Sequence, residues 1–486
     1  MRNVAPPSRP EGSQRRSAVL VAYAWPPDSE VGALRPAKLA KYLLREGWTP
    51  VVVTVREDYA ERVSADRTNE LNGAIVLRTR RFPSPRDLYV GLKGVIGRLR
   101  GSARHTEQGI QTRTREATEM FPETLRGRVK RYLLSLVFTP DRYVGWIPFG
   151  VRATVAAIRK HKAETVITTG PPFTAHLIGW VVKRVTGVRW IADFRDPWSE
   201  NKRPREIRAE LSDRTIRWLR AGVVTAADTV VCVTPAMTDS FRKLYPGLAD
   251  DKWVTITNGF DREDFADLAS IPRPERFTVA YVGGFDYGRT PEPFLKVLGR
   301  MLRDGEMSRG DVSVRLVGDC RYAGVRSLED MARDNDLKNV VEVLDFLPRR
   351  KALEEMAKAD VLLLLVTNQQ NEVPAKAYEY MAAGGKVLAL TEDSIATTDV
   401  IRSTAVGEVL SPRDDDGIRR ALSRWYKEYR ERGMCQSRSP RDNLEAYEWS
   451  TLGERYAALL KNEAHPAAGL DEGIAAPLML EKGKST

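Results

Sequence analysis

Short runs of apolar, largely β-branched residues alternate along this chain with longer stretches whose apolar residues recur at helical spacing. The run Ala18–Ala24 is typical of a buried strand, and a helical period follows over Arg35–Leu44. Pro36 suits the first turn of that helix, and Gly47 suits its end. The next apolar run, Pro50–Val55, completes the order strand, helix, strand, which predicts a βαβ unit and therefore a parallel sheet.

The same alternation continues in two series. The first series predicts further strands at Thr165–Thr169, Arg189–Phe194, Thr229–Thr234 and Trp253–Thr257. The second series predicts strands at Thr278–Val282, Val312–Val317, Val340–Leu344, Asp360–Val366 and Lys386–Leu390. Sheets of this kind bind ligands beyond the carboxyl ends of their strands. We therefore expect an α/β protein with two Rossmann-like, doubly wound domains that face a central cleft.

The patterns also predict where the domains begin and end. A chain of 486 residues is long enough for two domains. The predicted segments are a disordered tail over 1–16, an N-terminal Rossmann-like domain over 17–260 with a basic amphipathic insertion at about 78–149, and a linker over 261–276. A C-terminal Rossmann-like domain over 277–440 follows, then a C-terminal helix over 441–462 that crosses back to the first domain, and a second disordered tail over 463–486.

The net charge of +12 is concentrated in one block. Between Arg78 and Arg131 the chain has 14 Lys and Arg against 5 Asp and Glu. Two basic amphipathic helices are predicted within or near this block, at Gly91–Gly101 and Val129–Phe138. The block indicates an anionic partner, such as an anionic membrane surface, or else a solvated basic face. Nucleic acid is not expected, because no repeated aromatic pattern accompanies the charge.

The cysteines and acidic runs do not predict a metal site. Cys232, Cys320 and Cys435 lie far apart without metal-ligand spacing, and free thiols of this kind fit the cytoplasm. The acidic run 334–336 is interpreted as a helix-to-strand connection and the run 414–416 as a charged loop. We expect a cytoplasmic protein, with peripheral attachment to the inner face of the membrane as an option.

Two loops of the first domain hold residues suited to a ligand. Gly32 lies in the loop after the first strand, where a backbone without a side chain can approach a phosphate or sugar. His176 falls in the first turn of a helix that directly follows a strand, so its ring could point into a cleft. The alternatives are an ordinary loop and a structural histidine.

Two segments of the second domain suit a nucleotide. Gly283 and Gly284 follow a strand, and Arg289 precedes a helix, which could form a diphosphate cradle. Lys376 and Glu379 are three apart on a predicted helix and share a face. An acidic residue there can accept hydrogen bonds from ribose hydroxyls. The alternatives are a flexible loop with a surface arginine and a surface ion pair.

Taken together, the segments resemble the retaining glycosyltransferases of family 4, which have the GT-B fold. They are most similar to the branch found in exopolysaccharide and capsule gene clusters. The resemblance extends from Ala18 to about Leu460. Its marks, in the family's order, are Pro26-Pro27 with Gly32 and Arg35, Gly170-Pro171-Pro172-Phe173 with His176, Asp193-Phe194-Arg195-Asp196-Pro197-Trp198, Asn258-Gly259-Phe260-Asp261, the loop from Gly283 to Arg289, and Val373-Pro374-Ala375-Lys376 with Glu379-Tyr380.

The resemblance implies that 17–260 is the acceptor domain and that 277–440 is the nucleotide-sugar-binding domain. It also implies a role for each donor-binding residue. Glu379 would bind the nucleotide ribose, and Arg289 would contact the donor diphosphate. Gly283 and Gly284 would let the phosphates approach, and Gly32 would lie near the donor phosphate and the acceptor.

The segment before Glu379 departs from the family's pattern. The family often has two glutamates separated by seven residues, whereas here Asn371 fills the first position and Glu372 follows one place late. Pro374 belongs to the same donor-binding segment. Lys376 is the candidate to replace a basic residue that the family has beside the diphosphate.

The resemblance also implies a mechanism. His176 would contact the donor sugar, and Asp196 would bind the acceptor or transfer a proton. The donor would be a UDP- or GDP-sugar and the acceptor a glycan or lipid-linked sugar, with retention through a same-face, oxocarbenium-like route and no cofactor or metal. The alternatives are a non-catalytic GT-B partner subunit, which Asn371 suggests, and a nucleotide-sugar epimerase.

Overall fold

The chain folds into two compact units. The computed structural model describes residues 16–60, 63, 71–84, 139–198, 210–285, 288–367, 370–433 and 442–462. The units comprise residues 1–233 with 240–255, and 234–239 with 256–486. The predicted tails, almost in full, and both helices of the predicted basic insertion lie outside the described residues.

The first unit is built on a seven-stranded sheet whose neighbouring strands are all parallel. Its strands are β1 (Ser17–Val21), β2 (Thr49–Val55), β3 (Ile75–Thr79), β4 (Thr165–Gly170), β5 (Arg189–Phe194), β6 (Thr229–Cys232) and β7 (Trp253–Thr255). Its helices are α1 (Leu34–Arg45), α2 (Ile147–His161), α3 (Thr174–Thr186), α4 (Glu210–Ala226) and α5 (Pro235–Leu244), the last of which the division between the units crosses.

The strand order of this sheet is β3-β2-β1-β4-β5-β6-β7. The order reverses direction between β1 and β4, so the loops that follow these two strands diverge and leave a crevice at their carboxyl ends. The residues of β2 and β4 are almost all buried, which explains why their sequences read as continuous apolar runs and not as alternating ones. The loops after β1, β4 and β5 therefore meet at one edge of the sheet.

The second unit repeats the plan with six parallel strands in the order β12-β9-β8-β13-β14-β15. Its strands are β8 (Phe277–Val282), β9 (Val312–Val317), β10 (Tyr322–Ala323), β11 (Arg326–Ser327), β12 (Val341–Leu344), β13 (Val361–Leu365), β14 (Lys386–Leu390) and β15 (Gly407–Leu410), of which β10 and β11 form a separate antiparallel hairpin. Its helices are α6 (Glu292–Arg303), α7 (Leu328–Asp334), α8 (Arg349–Lys358), α9 (Ala375–Ala383), α10 (Ile395–Thr404), α11 (Asp415–Arg432), α12 (Asp442–Glu445) and α13 (Trp449–Lys461).

Both faces of the second sheet are covered by helices. On one face Phe277 and Tyr281 pack with apolar residues of α6, α7 and α11. On the other face Ala280 and Leu362 pack with residues of α8, α9 and α10. The strand order reverses between β8 and β13, so a second crevice opens at the carboxyl ends of these strands. The predicted fold of two Rossmann-like α/β domains is confirmed.

Backbone hydrogen bonds connect the segment at the start of α13 to Phe260, near the start of the second unit. The backbone N–H of Phe260 donates to the carbonyl of Tyr447 at 3.0 Å, and that of Trp449 donates to the carbonyl of Phe260 at 2.9 Å. A side chain at Gly259 would lie 2.2 Å from the Tyr447 carbonyl oxygen, so only glycine fits there. That the terminal helix crosses to the first domain stays a prediction.

The acidic run 414–416 begins a helix, whereas a charged loop is expected from its sequence. Asp414 is the N-cap of α11, and its Oδ1 accepts a hydrogen bond from the backbone N–H of Gly417 at 2.8 Å. Asp415 and Asp416 occupy the first turn, where negative charge interacts favourably with the helix dipole. This run is therefore a helix-start signal, and the loop interpretation is wrong.

Candidate functional site

The structure places candidate residues at the crevice of each unit. In the second unit, the loop after β8 begins at Gly283, whose φ of +138° belongs to a region that side-chain-bearing residues rarely adopt. The Tyr281 hydroxyl donates to the carbonyl of Gly284 at 2.7 Å, and the Cys320 thiol donates to the carbonyl of Gly283 at 3.2 Å. Burial raises the pKa of Cys320 to about 12, so the thiol stays protonated as a donor.

Lys376 lies against the same loop. It is the second residue of α9, and its Nζ donates to the carbonyl of Val282, the last residue of β8, at 3.1 Å. The ammonium also lies 3.8 Å from the centre of the Tyr281 ring. An added Cβ at Gly283 would lie 2.8 Å from Nζ. The lysine therefore brings a positive charge to the point where the glycine loop leaves the sheet.

Glu379 follows one turn later on α9 and is held by a buried arginine. Arg349 Nη1 donates to Glu379 Oε1 at 2.5 Å, and Arg349 Nη2 donates to Asp264 Oδ2 at 2.7 Å. Only 7% of the Glu379 surface is exposed. Burial opposes the charge of Arg349, but the two carboxylates outweigh this effect and raise its pKa above the usual range. The arginine thus fixes the carboxylate of Glu379 between α8 and α9.

The remaining candidates of the second unit lie in two connections, β8–α6 and β13–α9. Arg289 is half-buried, and its Nε lacks a hydrogen-bond partner among the described residues. Asn371 is half-buried and Glu372 is buried in the segment that leads to α9. The Glu372 carbonyl accepts a hydrogen bond from Thr397 Oγ1 at 3.3 Å, and Pro374 is the N-cap of α9. Asn371, Glu372 and Pro374 are placed by the β13–α9 connection, beside the amino end of α9, whereas Arg289 precedes α6.

In the first unit, Arg195 ties three loops together at the sheet edge. Its backbone N–H donates to the carbonyl of Gly170 at 2.8 Å, and its Nη1 donates to the carbonyl of Gly32 at 2.5 Å. Its Nη2 also donates to the carbonyl of Pro171. Burial lowers the pKa of Arg195, although the neighbouring Asp196 carboxylate favours its charged form. Asp196 is half-buried beside it.

A second buried ion pair supports the same edge. Arg35 donates to Asp193 through Nε at 3.0 Å and through Nη2 at 2.8 Å, and both side chains are almost fully buried. Thr169 Oγ1 donates to Asp193 Oδ2 at 2.8 Å. The bidentate pair fixes the start of α1 against the end of β5, and so fixes the loop that holds Gly32.

His176 is enclosed at the start of α3. Its ring is fully buried and lies 4.4 Å from the centre of the Phe194 ring. Nδ1 lies 2.8 Å from Thr168 Oγ1, which also accepts a hydrogen bond from the Trp190 indole at 2.9 Å. Because the indole can only donate, the threonine hydroxyl can give its own proton to Nδ1, which leaves the ring proton on Nε2.

Burial lowers the pKa of His176 to about 3, despite the nearby Asp193 carboxylate. The ring is therefore neutral at physiological pH and can donate a hydrogen bond through Nε2. An added Cβ at Gly170 would lie 2.8 Å from Nε2, so glycine is required beside the ring.

The sequence itself matches two family models. The Glycosyltransferase Family 4 model matches residues 109–264, and the Glycosyl transferases group 1 model matches residues 265–442. The two matches adjoin and together span more than half of the chain. This chain is a group 1 glycosyltransferase. The expected glycosyltransferase family and enzyme class are thereby confirmed, and the exopolysaccharide and capsule branch stays a prediction.

Solved structures with the fold of this glycosyltransferase cover almost its whole length. Sucrose-phosphate synthase from Thermosynechococcus elongatus is 16% identical, with a TM-score of 0.59, and the match covers 92% of this chain and 99% of that one. HepE from Anabaena, solved with UDP and glucose, is 14% identical, with a TM-score of 0.59 and coverage of 92% and 100%. A glycosyltransferase from Rickettsia africae is 11% identical, with a TM-score of 0.58 and coverage of 93% and 99%. No curated protein matches the sequence at a significant level.

Two features of this glycosyltransferase are not expected from its sequence. Arg349 and Asp264 are separated by 85 positions, and spacing does not predict their contact with Glu379. The signal that could have marked Arg349 is its place at the amino end of α8, where a cation opposes the helix dipole. Arg195 lies within a segment that resembles the family, but nothing in its spacing predicts that it joins three loops.

The buried histidine makes the stability of the glycosyltransferase depend on pH. Histidine in the unfolded chain has a pKa of about 6.5, so below that pH the unfolded state binds a proton that folded His176 takes up only near pH 3. Above about pH 6.5, His176 therefore does not lower the free energy of unfolding. As the pH falls from there towards 3, His176 lowers this free energy by up to about 1.4 kcal/mol per pH unit.

Replacing His176 with glutamine should remove this part of the acid sensitivity. The measurement is denaturant unfolding, followed by circular dichroism, of both proteins at pH 8 and pH 5. The wild type should lose more stability than H176Q between the two values. Equal losses would contradict the neutral, buried state of the ring.

Proposed function

We propose that this glycosyltransferase moves a sugar from a UDP- or GDP-sugar to a glycan or lipid-linked acceptor, with retention at the anomeric carbon, in polysaccharide or glycoconjugate biosynthesis. The observation that carries the proposal is the cluster at the crevice of the second unit. There Gly283 opens the loop after β8, Lys376 Nζ lies 3.1 Å from the carbonyl that ends β8, and Glu379 is fixed one turn along α9. A strand-order reversal is where sheets of this class bind nucleotides.

Each part of the cluster matches one part of a nucleotide sugar. The Glu379 carboxylate would accept hydrogen bonds from the ribose hydroxyls. Gly283 and Gly284 would admit the diphosphate, and backbone N–H groups at the start of α9 would donate to it. Lys376 would stabilise the negative charge that grows on the diphosphate as the glycosidic bond breaks, and Arg289 is the candidate for a second cation. HepE shares the fold and was solved with UDP and glucose, which supports a nucleotide-sugar donor for this chain.

The first unit would supply the sugar and acceptor contacts. His176, being neutral, would donate a hydrogen bond from Nε2 and would not act as a general acid at physiological pH. Asp196 lies beside Arg195 at the carboxyl edge of the sheet, where the loops containing Gly32 and Pro171 converge. We assign Asp196 to acceptor binding or proton transfer.

The test is a panel of UDP-, GDP-, ADP- and TDP-sugars, measured by thermal shift and then by release of the nucleoside diphosphate. A nucleotide sugar at a hundred times its dissociation constant should stabilise the protein by about 2.7 kcal/mol. Stabilisation by one nucleotide class, followed by release of its diphosphate, supports the proposal. Conversion of the sugar without diphosphate release would indicate an epimerase, and binding without turnover would indicate a non-catalytic subunit.

We further expect transfer to proceed without a metal. Lys376 and backbone amides would provide the positive charge that a divalent cation supplies in other transferases. Among the described residues, no group of three or more His, Cys, Asp and Glu side chains is arranged to hold a metal ion. The measurement is turnover before and after chelation with EDTA, which should agree within error. A loss that added Mg²⁺ or Mn²⁺ restores would contradict the expectation.

A further inference from the structure

The outer surface of α3 and α4 has an unusual concentration of exposed apolar side chains. Trp218 on α4 is 64% exposed, and Val185 and Val181 on α3 are 63% and 38% exposed. We call these three residues, together with Trp180, the tryptophan face. Val181 and Val185 lie one turn apart on α3, and Trp218 of α4 contacts Trp180 of the same α3. Scattered exposed apolar residues need no explanation, but a group on two packed helices commonly marks a binding surface.

The packing of α3 against α4 holds the tryptophan face in place. The Trp180 ring lies over Gly222 of α4, where an added Cβ would come within 2.5 Å of the ring. Trp218 meets the same ring edge-on, with 5.8 Å between the ring centres. Trp180 therefore fills the gap between the helices and supports Trp218, which remains directed outward. The face begins about one helical turn beyond His176 on α3.

Two of the helices, α2 and α3, are strongly basic, and α4 contains three Arg against one Asp and one Glu. The sequences of α2 and α3 contain no Asp or Glu and carry the cations Arg152, Arg159, Lys160, Lys183 and Arg184. The Arg184 guanidinium lies 5.1 Å from the centre of the Trp180 ring, and Arg217 is exposed next to Trp218. Asp228 is close to the end of α3, but it forms an ion pair with Lys183 at 2.8 Å.

This combination fits one class of partner. Tryptophan places an apolar ring and a polar N–H at the boundary between lipid and water, and arginine keeps its charge at the headgroups while its stem lies along apolar surface. Each cation near an anionic membrane strengthens attachment by roughly fivefold. A protein partner would need an apolar face bordered by acids, whereas an anionic bilayer supplies both properties everywhere.

We propose that the tryptophan face, with Arg184 and Arg217, docks the enzyme on an anionic lipid bilayer. The proposal rests on the proposed function in one respect, since a lipid-linked acceptor would be met at such a surface. None of the helices in the described part of the chain has the length and apolarity to span a bilayer. The docking surface differs from the basic block between Arg78 and Arg131, most of which lies outside the described residues.

The experiment is flotation of the full-length protein with phosphatidylcholine vesicles, with and without phosphatidylglycerol, in the absence of sugar nucleotide. The variants are Trp218→Ser with Val185→Ser, and Arg184→Glu with Arg217→Glu. The matched controls are Val325→Ser, which changes a 90% exposed valine of the second unit, and Arg413→Glu, which changes an exposed arginine of that unit. Circular dichroism and thermal midpoints verify that every variant is folded.

We expect the wild type to float with the anionic vesicles and not with the neutral ones. Each double variant should lower the partition coefficient by about tenfold or more, and both controls should bind as the wild type does. Binding of the double variants at the wild-type level would overturn the proposal and place attachment elsewhere, such as in the basic block. Equal recovery on both vesicle types would overturn it as well.

Sedimentation velocity tests whether the tryptophan face binds a second copy of the chain and not a membrane. A wild-type dimer that Trp218→Ser makes monomeric, without any effect of that change on vesicle binding, would show that the face joins two copies and would overturn the proposal. Because no nucleotide is present, failure of vesicle binding leaves the result of the donor panel unaffected, and a negative donor panel leaves the docking result unaffected.

Discussion

Replacing Arg349 with methionine is expected to destabilise the second unit by about 3–5 kcal/mol, because the change leaves two buried carboxylates without their shared cation. In the structure Arg349 donates to Glu379 Oε1 at 2.5 Å and to Asp264 Oδ2 at 2.7 Å. Both acceptors are about nine-tenths buried. The same change should abolish nucleotide binding, since Glu379 loses the contact that fixes its carboxylate.

The matched control is Arg350→Met, one residue further along α8. Arg350 is 45% exposed and its nearest carboxylate oxygens are 3.9 Å away, so its loss should change stability by less than about 0.5 kcal/mol. The measurement is denaturant unfolding of both variants, with the transition of the second unit analysed separately. If Arg349→Met unfolds like the control, the buried ion pairs do not stabilise the unit.

A third variant separates folding from nucleotide binding. Arg349→Lys keeps the positive charge but cannot donate to both carboxylates with fixed geometry. It should fold and yet bind nucleotide more weakly than the wild type. Full nucleotide affinity in this variant would show that Arg349 stabilises the unit without positioning Glu379.

Replacing Lys376 with alanine should lower turnover by about 100- to 1000-fold, because its charge is matched to the diphosphate that forms in the transition state. The ammonium is held at the end of β8 by the Val282 carbonyl and by the Tyr281 ring. An interaction that strengthens during the reaction acts on kcat more than on KM. The fold should survive, since α9 remains anchored by the hydrogen bond from the Val282 N–H to the Tyr380 hydroxyl at 2.9 Å.

The measurement is steady-state kinetics of sugar transfer with the nucleotide sugar that the panel identifies. Lys351→Ala is the control, because Lys351 is 64% exposed and pairs only at the surface, with Glu354. A Lys376→Ala enzyme with wild-type kcat would contradict the assigned role, whatever its KM.

The sheet strands of both units were open to prediction wherever they are buried on both faces. Burial on both faces makes a strand a continuous apolar run, and predicted Arg189–Phe194 and Lys386–Leu390 match β5 and β14. The strand β15 could not be predicted, because it has only four half-buried residues and lacks such a run. The helix α10 was obscured by four β-branched residues in its first two turns, Ile395, Thr397, Thr398 and Val400.

The positions of the candidate-site loops along the chain could also be predicted, but the side-chain contacts of the site could not be predicted. A glycine after a strand and a charged residue on the next helix can be recognised from spacing, as with Gly283 and Lys376. Burial of His176 beside Phe194 depends on residues 18 positions apart, one on α3 and one on β5, that meet only in the folded unit. Likewise, the network from Asp264 through Arg349 to Glu379 joins three separate segments, and local sequence patterns do not predict such long-range contacts.

The most direct test of the account is calorimetric titration of the full-length protein with UDP and GDP, comparing the wild type with Glu379→Gln. Glu355→Gln is the matched control, because Glu355 is equally buried and accepts a hydrogen bond from Arg315 Nε at 2.5 Å, but it lies on α8 and not on α9. The wild type and the control should bind one of the nucleotides at a single site, and Glu379→Gln should bind it about 100-fold more weakly, since it loses charged hydrogen bonds to the ribose. Equal affinity in all three proteins, or no binding of either nucleotide to the wild type, would contradict a donor site at Glu379.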